Sequence, residues 1–212
     1  MLRPRAIFID LDGTLADSMF MMRAAYDTFL DRYHVVSTDA EFDRLNGPPL
    51  SEVVQQLKVA HSISEGEEEL LTTYANILDQ TYADVSPCLG ASDLLKKAKD
   101  NSCIVAVVTS NSALRAHRWL QTTCLSPFVD FVVSGDEVQF GKPNPEPYLQ
   151  ACKRASCPSA EAIAIEDSLQ GARSAVEAGL KTFVVTRELD PEIWPREVVA
   201  VDSLAELADR LW

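Results

Sequence analysis

Residues 6–14 read Ala6-Ile7-Phe8-Ile9-Asp10-Leu11-Asp12-Gly13-Thr14, an apolar run closed by two carboxylates two positions apart. Four continuous apolar residues are the pattern of a strand covered on both faces, and a buried parallel sheet concentrates its chemistry at the carboxyl ends of its strands. Where the backbone turns at such an end, two carboxylates at this spacing can be aimed separately at one reacting atom. Asp10 and Asp12 therefore read as a nucleophile and a partner acid, with Gly13 and Thr14 supplying the tight turn that aims them.

Working outward, three more polar groups follow in order. Thr109-Ser110-Asn111 closes the apolar run Cys103-Ile104-Val105-Ala106-Val107-Val108. Lys142 stands in Gly141-Lys142-Pro143-Asn144-Pro145, and Glu166-Asp167-Ser168 closes Ala162-Ile163-Ala164-Ile165. Each alone is a weak signal, because polar residues near turns are usually caps. Four in this order are specific. Together they resemble the motifs of the haloacid dehalogenase-like superfamily, most of whose members are phosphohydrolases or phosphotransferases, and the resemblance covers nearly the whole chain.

The periodicity divides the chain twice. From Ser18, Met22, Tyr26, Phe29, Leu30 and Tyr33 recur at helical spacing, a stripe that reads as core. Helix-forming composition also marks Glu41 to Leu45, Leu50 to Val59 and Glu67 to Tyr82, with Asn46-Gly47-Pro48-Pro49 a break between the first two. No strand-like run lies between 18 and 86. After Pro87, helices at about 91–100, 112–121, 145–155 and 168–178 alternate with strands at 103–109, 130–133, 162–166 and 181–185. An apolar patch at Val198 to Val201 and a helix from Ser203 to Leu211 follow. Such alternation predicts an α/β fold with a doubly wound parallel sheet. The expected partition is a Rossmann-like catalytic core of residues 1–17 and 87–212, with an α-helical cap at 18–86 similar to the C1 cap of many family members.

At 212 residues the chain can bury a sizeable core. Its formal charge of -13 argues against nucleic acid or an anionic membrane as partner. A small phosphate is still admitted, because a bound cation and fixed donors reverse the potential inside one cleft. The run Glu65-Gly66-Glu67-Glu68-Glu69 reads as a solvated helix start. Five cysteines without a Cys-x-x-Cys pair point to a reduced, cytoplasmic protein, and His34, His61 and His117 form no ligand spacing. Arg3 and Arg5 precede too short an apolar run for a signal peptide, and no run approaches membrane-spanning length.

The chemistry follows from the residue types once the family is in view. A phosphate ester repels an anionic nucleophile, so its oxygens must be neutralised and the attacker held in line. The resemblance implies that Asp10 attacks phosphorus to form an aspartyl-phosphate, while Asp12 protonates the leaving alcohol and then takes a proton from water. Lys142, kept out of a helix by Pro143 and fixed ahead of the next one by Asn144 and Pro145, clamps phosphate and carboxylates. Thr109 offers a hydroxyl, and the amides of Ser110 and Asn111 lie at a strand-to-helix junction suited to anions. Asp10, the Asp12 carbonyl, Glu166 and Asp167 would make an all-oxygen Mg²⁺ site. Adjacent carboxylates on an extended backbone point oppositely, which favours Asp167 for direct binding. Ser168 reads as the N-cap of the following helix. Gly13, Thr14, Ser110 and Asn111, with Asn46 and Gly47 from the cap, are expected around a small phosphorylated metabolite.

Other classes compare less well. Haloacid dehalogenases need the aspartyl nucleophile but neither the second acid nor a metal, and Asp12 also disfavours a phosphonatase. A β-phosphoglucomutase-like phosphotransferase is the nearer alternative, since Ile165-Glu166-Asp167-Ser168 and the cap length look similar to that group. Where mutases place a phosphate-gripping lysine and arginine, however, this chain has Asn46 and Leu50, and Met22 stands in place of a histidine. A non-catalytic phosphate-binding protein comes last, because no catalytic position is missing.

Overall fold

The computed structural model describes residues 3–187 and 189–212. Strand β1 (Ala6–Ile9) is followed by four helices, α1 (Met19–Asp31), α2 (Asp39–Leu45), α3 (Leu50–His61) and α4 (Glu67–Thr81). The chain then alternates through α5 (Ala91–Asp100), β2 (Ile104–Val108), α6 (Ala113–Thr122), β3 (Phe131–Val133), α7 (Glu146–Ala155), β4 (Ala162–Glu166), α8 (Leu169–Glu177), β5 (Lys181–Val185), β6 (Val199–Val201) and α9 (Leu204–Leu211). The strands form one parallel sheet in the order β3-β2-β1-β4-β5-β6. From β1 the order runs to β2 on one side and to β4 on the other, so the carboxyl end of β1 opens on the crevice where doubly wound sheets bind ligands.

Alternation along the strands sorts the core into two layers. Ile7, Ile9, Val105, Val107, Ile163 and Ile165 pack toward Leu94, Trp119 and Leu207 of α5, α6 and α9. Phe8, Ala106, Val108 and Ala164 pack toward Tyr148 and Ala175 of α7 and α8. The smaller residues on this second face let α7 and α8 lie close. Helices α1 to α4 bury a third cluster of their own, in which Phe29 stacks on Tyr74 with centroids 4.5 Å apart. The chain enters and leaves these four helices side by side, with Ala16 bridging Pro87 and the Asp17 amide bonded to Ser86.

Element boundaries shift by a residue or two from the sequence expectation, each for a local reason. Helix α2 begins at Asp39, two positions earlier than expected, because the Thr38 hydroxyl accepts the Glu41 amide at 3.3 Å and caps it. Helix α3 runs on to His61 and stops where Ser62 turns left-handed, at φ 53°. Helix α4 ends at Thr81, and Tyr82 passes into a short 3₁₀ turn. Glu67, Glu68 and Glu69 occupy the exposed first turn of α4, where the helix dipole favours them. Among the described residues no helix is long and apolar enough to cross a membrane.

Candidate active site

Strand register brings the first charges together. Ile9 lies opposite Val107 and Ile165, so the next row aligns Asp10 with Val108 and Glu166, and the period of two turns these side chains to the α7 face. Lys142, just ahead of α7, meets them there. Its ammonium donates to Asp10 Oδ1 at 2.5 Å, to Glu166 Oε1 at 2.5 Å and to the Val108 carbonyl at 3.0 Å. All three of its protons are thus accounted for. Lys142 is 2% exposed and Glu166 0%.

A buried ion cluster of this kind moves every titration. Burial pushes the Asp10 carboxyl well up, the Lys142 charge draws it down, and Glu166 and Asp167 push it up again. Burial lowers Lys142, but Asp10 and Glu166 outweigh it and hold the ammonium above its ordinary value. The Tyr148 hydroxyl is raised well above its usual range by burial and by Glu166, so it stays a donor to Glu166 Oε1, at 2.6 Å. Glu166 Oε2 accepts from Ser168 Oγ at 3.2 Å, and that hydroxyl also accepts the Gly171 amide at 3.0 Å, the expected N-cap. Gly171 must be glycine, since a Cβ would lie 2.1 Å from the Glu166 carboxylate.

Asp12 is restrained from three directions. Ser18 Oγ and Tyr82 OH donate to Oδ1 at 2.8 and 2.6 Å, and Asn111 Nδ2 donates to Oδ2 at 3.0 Å. Asn111 is oriented in turn by Arg115, whose guanidinium also reaches Asp79 at 2.8 Å and the Ala75 carbonyl at 3.2 Å on α4. Burial, then the charge of Asp12, keeps the Tyr82 phenol protonated. Ser18, Tyr82, Arg115 and Tyr148 carry no signal in the sequence, because each meets its partner only through the fold.

Asp167 completes the carboxylate group. Ligand oxygens of Asp10, Glu166 and Asp167 lie within 4.8 Å of one another. Burial and then the Glu166 charge push Asp167 from 3.8 up to about 7, against the smaller opposing pull of Lys142. An all-carboxylate donor set suits a hard divalent cation. Because Lys142, Tyr148 and Ser168 already engage both Glu166 oxygens, Asp10 and Asp167 are the pair best placed to hold one directly. Glu166 lies behind them as the partner of Lys142.

The remaining expected residues divide between wall and support. Asn46, Gly47, Thr109, Ser110 and Asn111 line one cleft with Asp10, Asp12 and Asp167. Ser110 Oγ donates across it to the Gly47 carbonyl. Thr14 is fully buried, with its hydroxyl turned to Asp167 at 3.4 Å and not into the cleft. Gly13, at φ 82°, lets Asp167 approach so closely that a Cβ would lie 2.1 Å from Oδ2. The Asn111 amide donates to the Thr109 hydroxyl at 3.0 Å, so this expected anion donor has an internal partner. Lys142 lies beneath the floor and touches the cleft through Asp10.

A sequence model of the family described as "Haloacid dehalogenase-like hydrolase" matches residues 7–185. The chain is 28% identical to 6-phosphogluconate phosphatase of Escherichia coli (strain K12), over 86% of this chain and 83% of that one. It is 31% identical to pyrophosphatase PpaX of Bacillus velezensis, over 85% of this chain and 82% of that one. Among solved structures, CbbY from Rhodobacter sphaeroides in complex with phosphate superposes with a TM-score of 0.81 at 25% identity, with 96% of each chain covered.

Proposed function

Because the chain belongs to the haloacid dehalogenase-like hydrolase family, we propose that it is a Mg²⁺-dependent phosphatase acting on a small phosphate monoester through an aspartyl-phosphate. The observation that carries this reading is the pairing, at one strand end, of Asp10 fixed by Lys142 with Asp12 fixed by three donors. Lys142 engages Asp10 Oδ1 and leaves Oδ2 to attack phosphorus. As that bond forms, the bond from phosphorus to the leaving oxygen breaks, and Asp12 gives its proton to the departing alcohol. Asp12, now a carboxylate, takes a proton from water whose oxygen attacks phosphorus and releases Asp10. Asp10 and Asp167, with the Asp12 carbonyl, would hold Mg²⁺, which when bound neutralises phosphoryl oxygens.

In this reading residues 18–86 form a cap over a core of 1–17 and 87–212. Ser18 and Tyr82 lie near the two ends of the cap segment and both grip Asp12, so a cap movement at these hinges alters the proton donor directly. Five free cysteines support a reducing, cytoplasmic setting. Hydrolysis is favoured over mutase chemistry by where the cap cations lie. Arg44 is exposed and faces Glu41, and the Lys58 ammonium is taken by the Ile63 and Glu65 carbonyls, so neither lines the cleft to hold a second phosphate.

Two measurements test the reading. Phosphate release from a panel of monoesters should require Mg²⁺, and Asp12→Ala should lose on the order of 10²–10⁴-fold on alkyl phosphates while losing clearly less on aryl phosphates. Equal losses on both classes remove the acid role. The second uses the acid pair without metal. A carboxyl whose folded pKa is raised binds its proton more tightly than in the unfolded chain, so its burial costs nothing below about pH 4 and most above about pH 7. The melting temperature of chelator-treated protein should therefore fall between pH 5 and pH 8. Magnesium should raise it more at pH 8 than at pH 6, and a larger rise at pH 6 counts against binding at Asp10 and Asp167.

A further inference from the structure

The two halves of the cleft differ in chemistry. Its floor carries Asp10, Asp12 and Asp167, where the phosphoryl group belongs, while its roof is built from Met22, Phe42, Leu45, Leu50, Val53 and Leu78. Tyr26 and Tyr74 add aromatic faces, and the Tyr26 hydroxyl is already bonded to Glu41 at 2.5 Å. The polar groups at the waist are committed as well. Ser110 donates to Gly47, Asn111 to Asp12, and Ser168 to Glu166. Arg115, the cation of this lining, is held by Asp79, Ala75 and Asn111. Among the described side chains of the lining, Asn46 and the Tyr74 hydroxyl, beside the Thr109 hydroxyl proton at the end of β2, are left to meet polar groups on a leaving alcohol.

We propose, on the basis of the phosphatase reading above, that the cleft selects phosphate monoesters whose leaving alcohol is apolar or aromatic, with at most one or two polar groups. A hexose or polyol brings several hydroxyls under a roof that cannot bond them, and each one left dry weakens binding by roughly tenfold. An alkyl chain or a single ring instead removes from water the apolar surface of Met22, Phe42 and Leu50, the half-buried members of the roof.

The experiment compares 2-phenylethyl and n-pentyl phosphates with glucose 6-phosphate and glycerol 3-phosphate, all esters of primary alcohols, so that leaving-group reactivity is similar. With Mg²⁺, kcat/KM should favour the first two by at least about tenfold. Leu50→Asn, a half-buried position at the start of α3, should shrink that ratio severalfold through KM, with its melting curve checking the fold. Equal or faster turnover of the polyol esters overturns the inference and leaves the phosphatase standing. A ratio unchanged in Leu50→Asn likewise counts against a roof that selects. Acetyl phosphate, which has almost no apolar body, separates the two failures: its hydrolysis with none of the four alkyl esters cleaved sinks the substrate class alone. No phosphate from any of the four esters or from acetyl phosphate sinks both.

Discussion

Asp10→Asn should lose phosphate release by about 10⁴-fold or more and keep its fold. The loss follows from chemistry, since an amide oxygen neither carries the charge nor forms the acyl phosphate that the first displacement requires. Retention of the fold follows from the cluster around it. The change is nearly isosteric, and an amide carbonyl can still accept from Lys142, which keeps Glu166 and the Val108 carbonyl as partners. Burial already disfavours the charge on Asp10, and removing it relieves crowding with Glu166 and Asp167. Stability should therefore move by no more than about 1 kcal/mol. Phosphate release measured beside melting and circular dichroism separates the two claims. Activity above about a hundredth of wild type in a folded variant would refute Asp10 as nucleophile.

What the chain disclosed in advance was local. Strand β1 and Asp10 were legible because an apolar run and the carboxylate that ends it are neighbours, and the break between α2 and α3 was legible because Gly47-Pro48-Pro49 cannot continue a helix. The partners of Asp12 were not. Tyr82 reaches it across 70 positions and Asn111 across 99, and neither side chain differs in type from any solvated tyrosine or asparagine. Arg115 sits in an amphipathic helix where arginine is ordinarily a solvent-facing residue, and only the docking of α4 on α6 buries it against Asp79. Thr14 reads as a substrate ligand because it follows Asp12 and Gly13, yet the turn directs its hydroxyl to Asp167. Glu166 and Asp167 are adjacent in sequence and read as joint metal ligands. Strand alternation sends the first to Lys142 and Tyr148, a separation already implied by the period of two.

Lys142→Met should be the most destabilising single change in the site and should also abolish turnover. Methionine has about the length of the lysine stem and leaves no large cavity, so the effect isolates the charge. Without it Asp10 and Glu166 face each other in a buried pocket with Asp167 beside them, and breaking a buried pair from one side costs about 3–5 kcal/mol. For a chain of this size, that corresponds to a melting temperature lower by about 6–20 °C. The sign with pH is fixed by the same argument. Loss of the ammonium raises Asp10 and Asp167 further, and a raised carboxyl destabilises only once the surrounding pH strips its proton, so the deficit should be small near pH 5 and grow toward pH 8. Adding Glu166→Gln removes the uncompensated charge and should recover much of the stability without restoring activity, because nothing then holds Asp10 ionised and in line for attack. A Lys142→Met protein that melts like wild type at pH 8 shows that the cluster is solvated enough to do without its cation. Recovery of turnover in the double variant shows that Lys142 serves the fold and not the nucleophile.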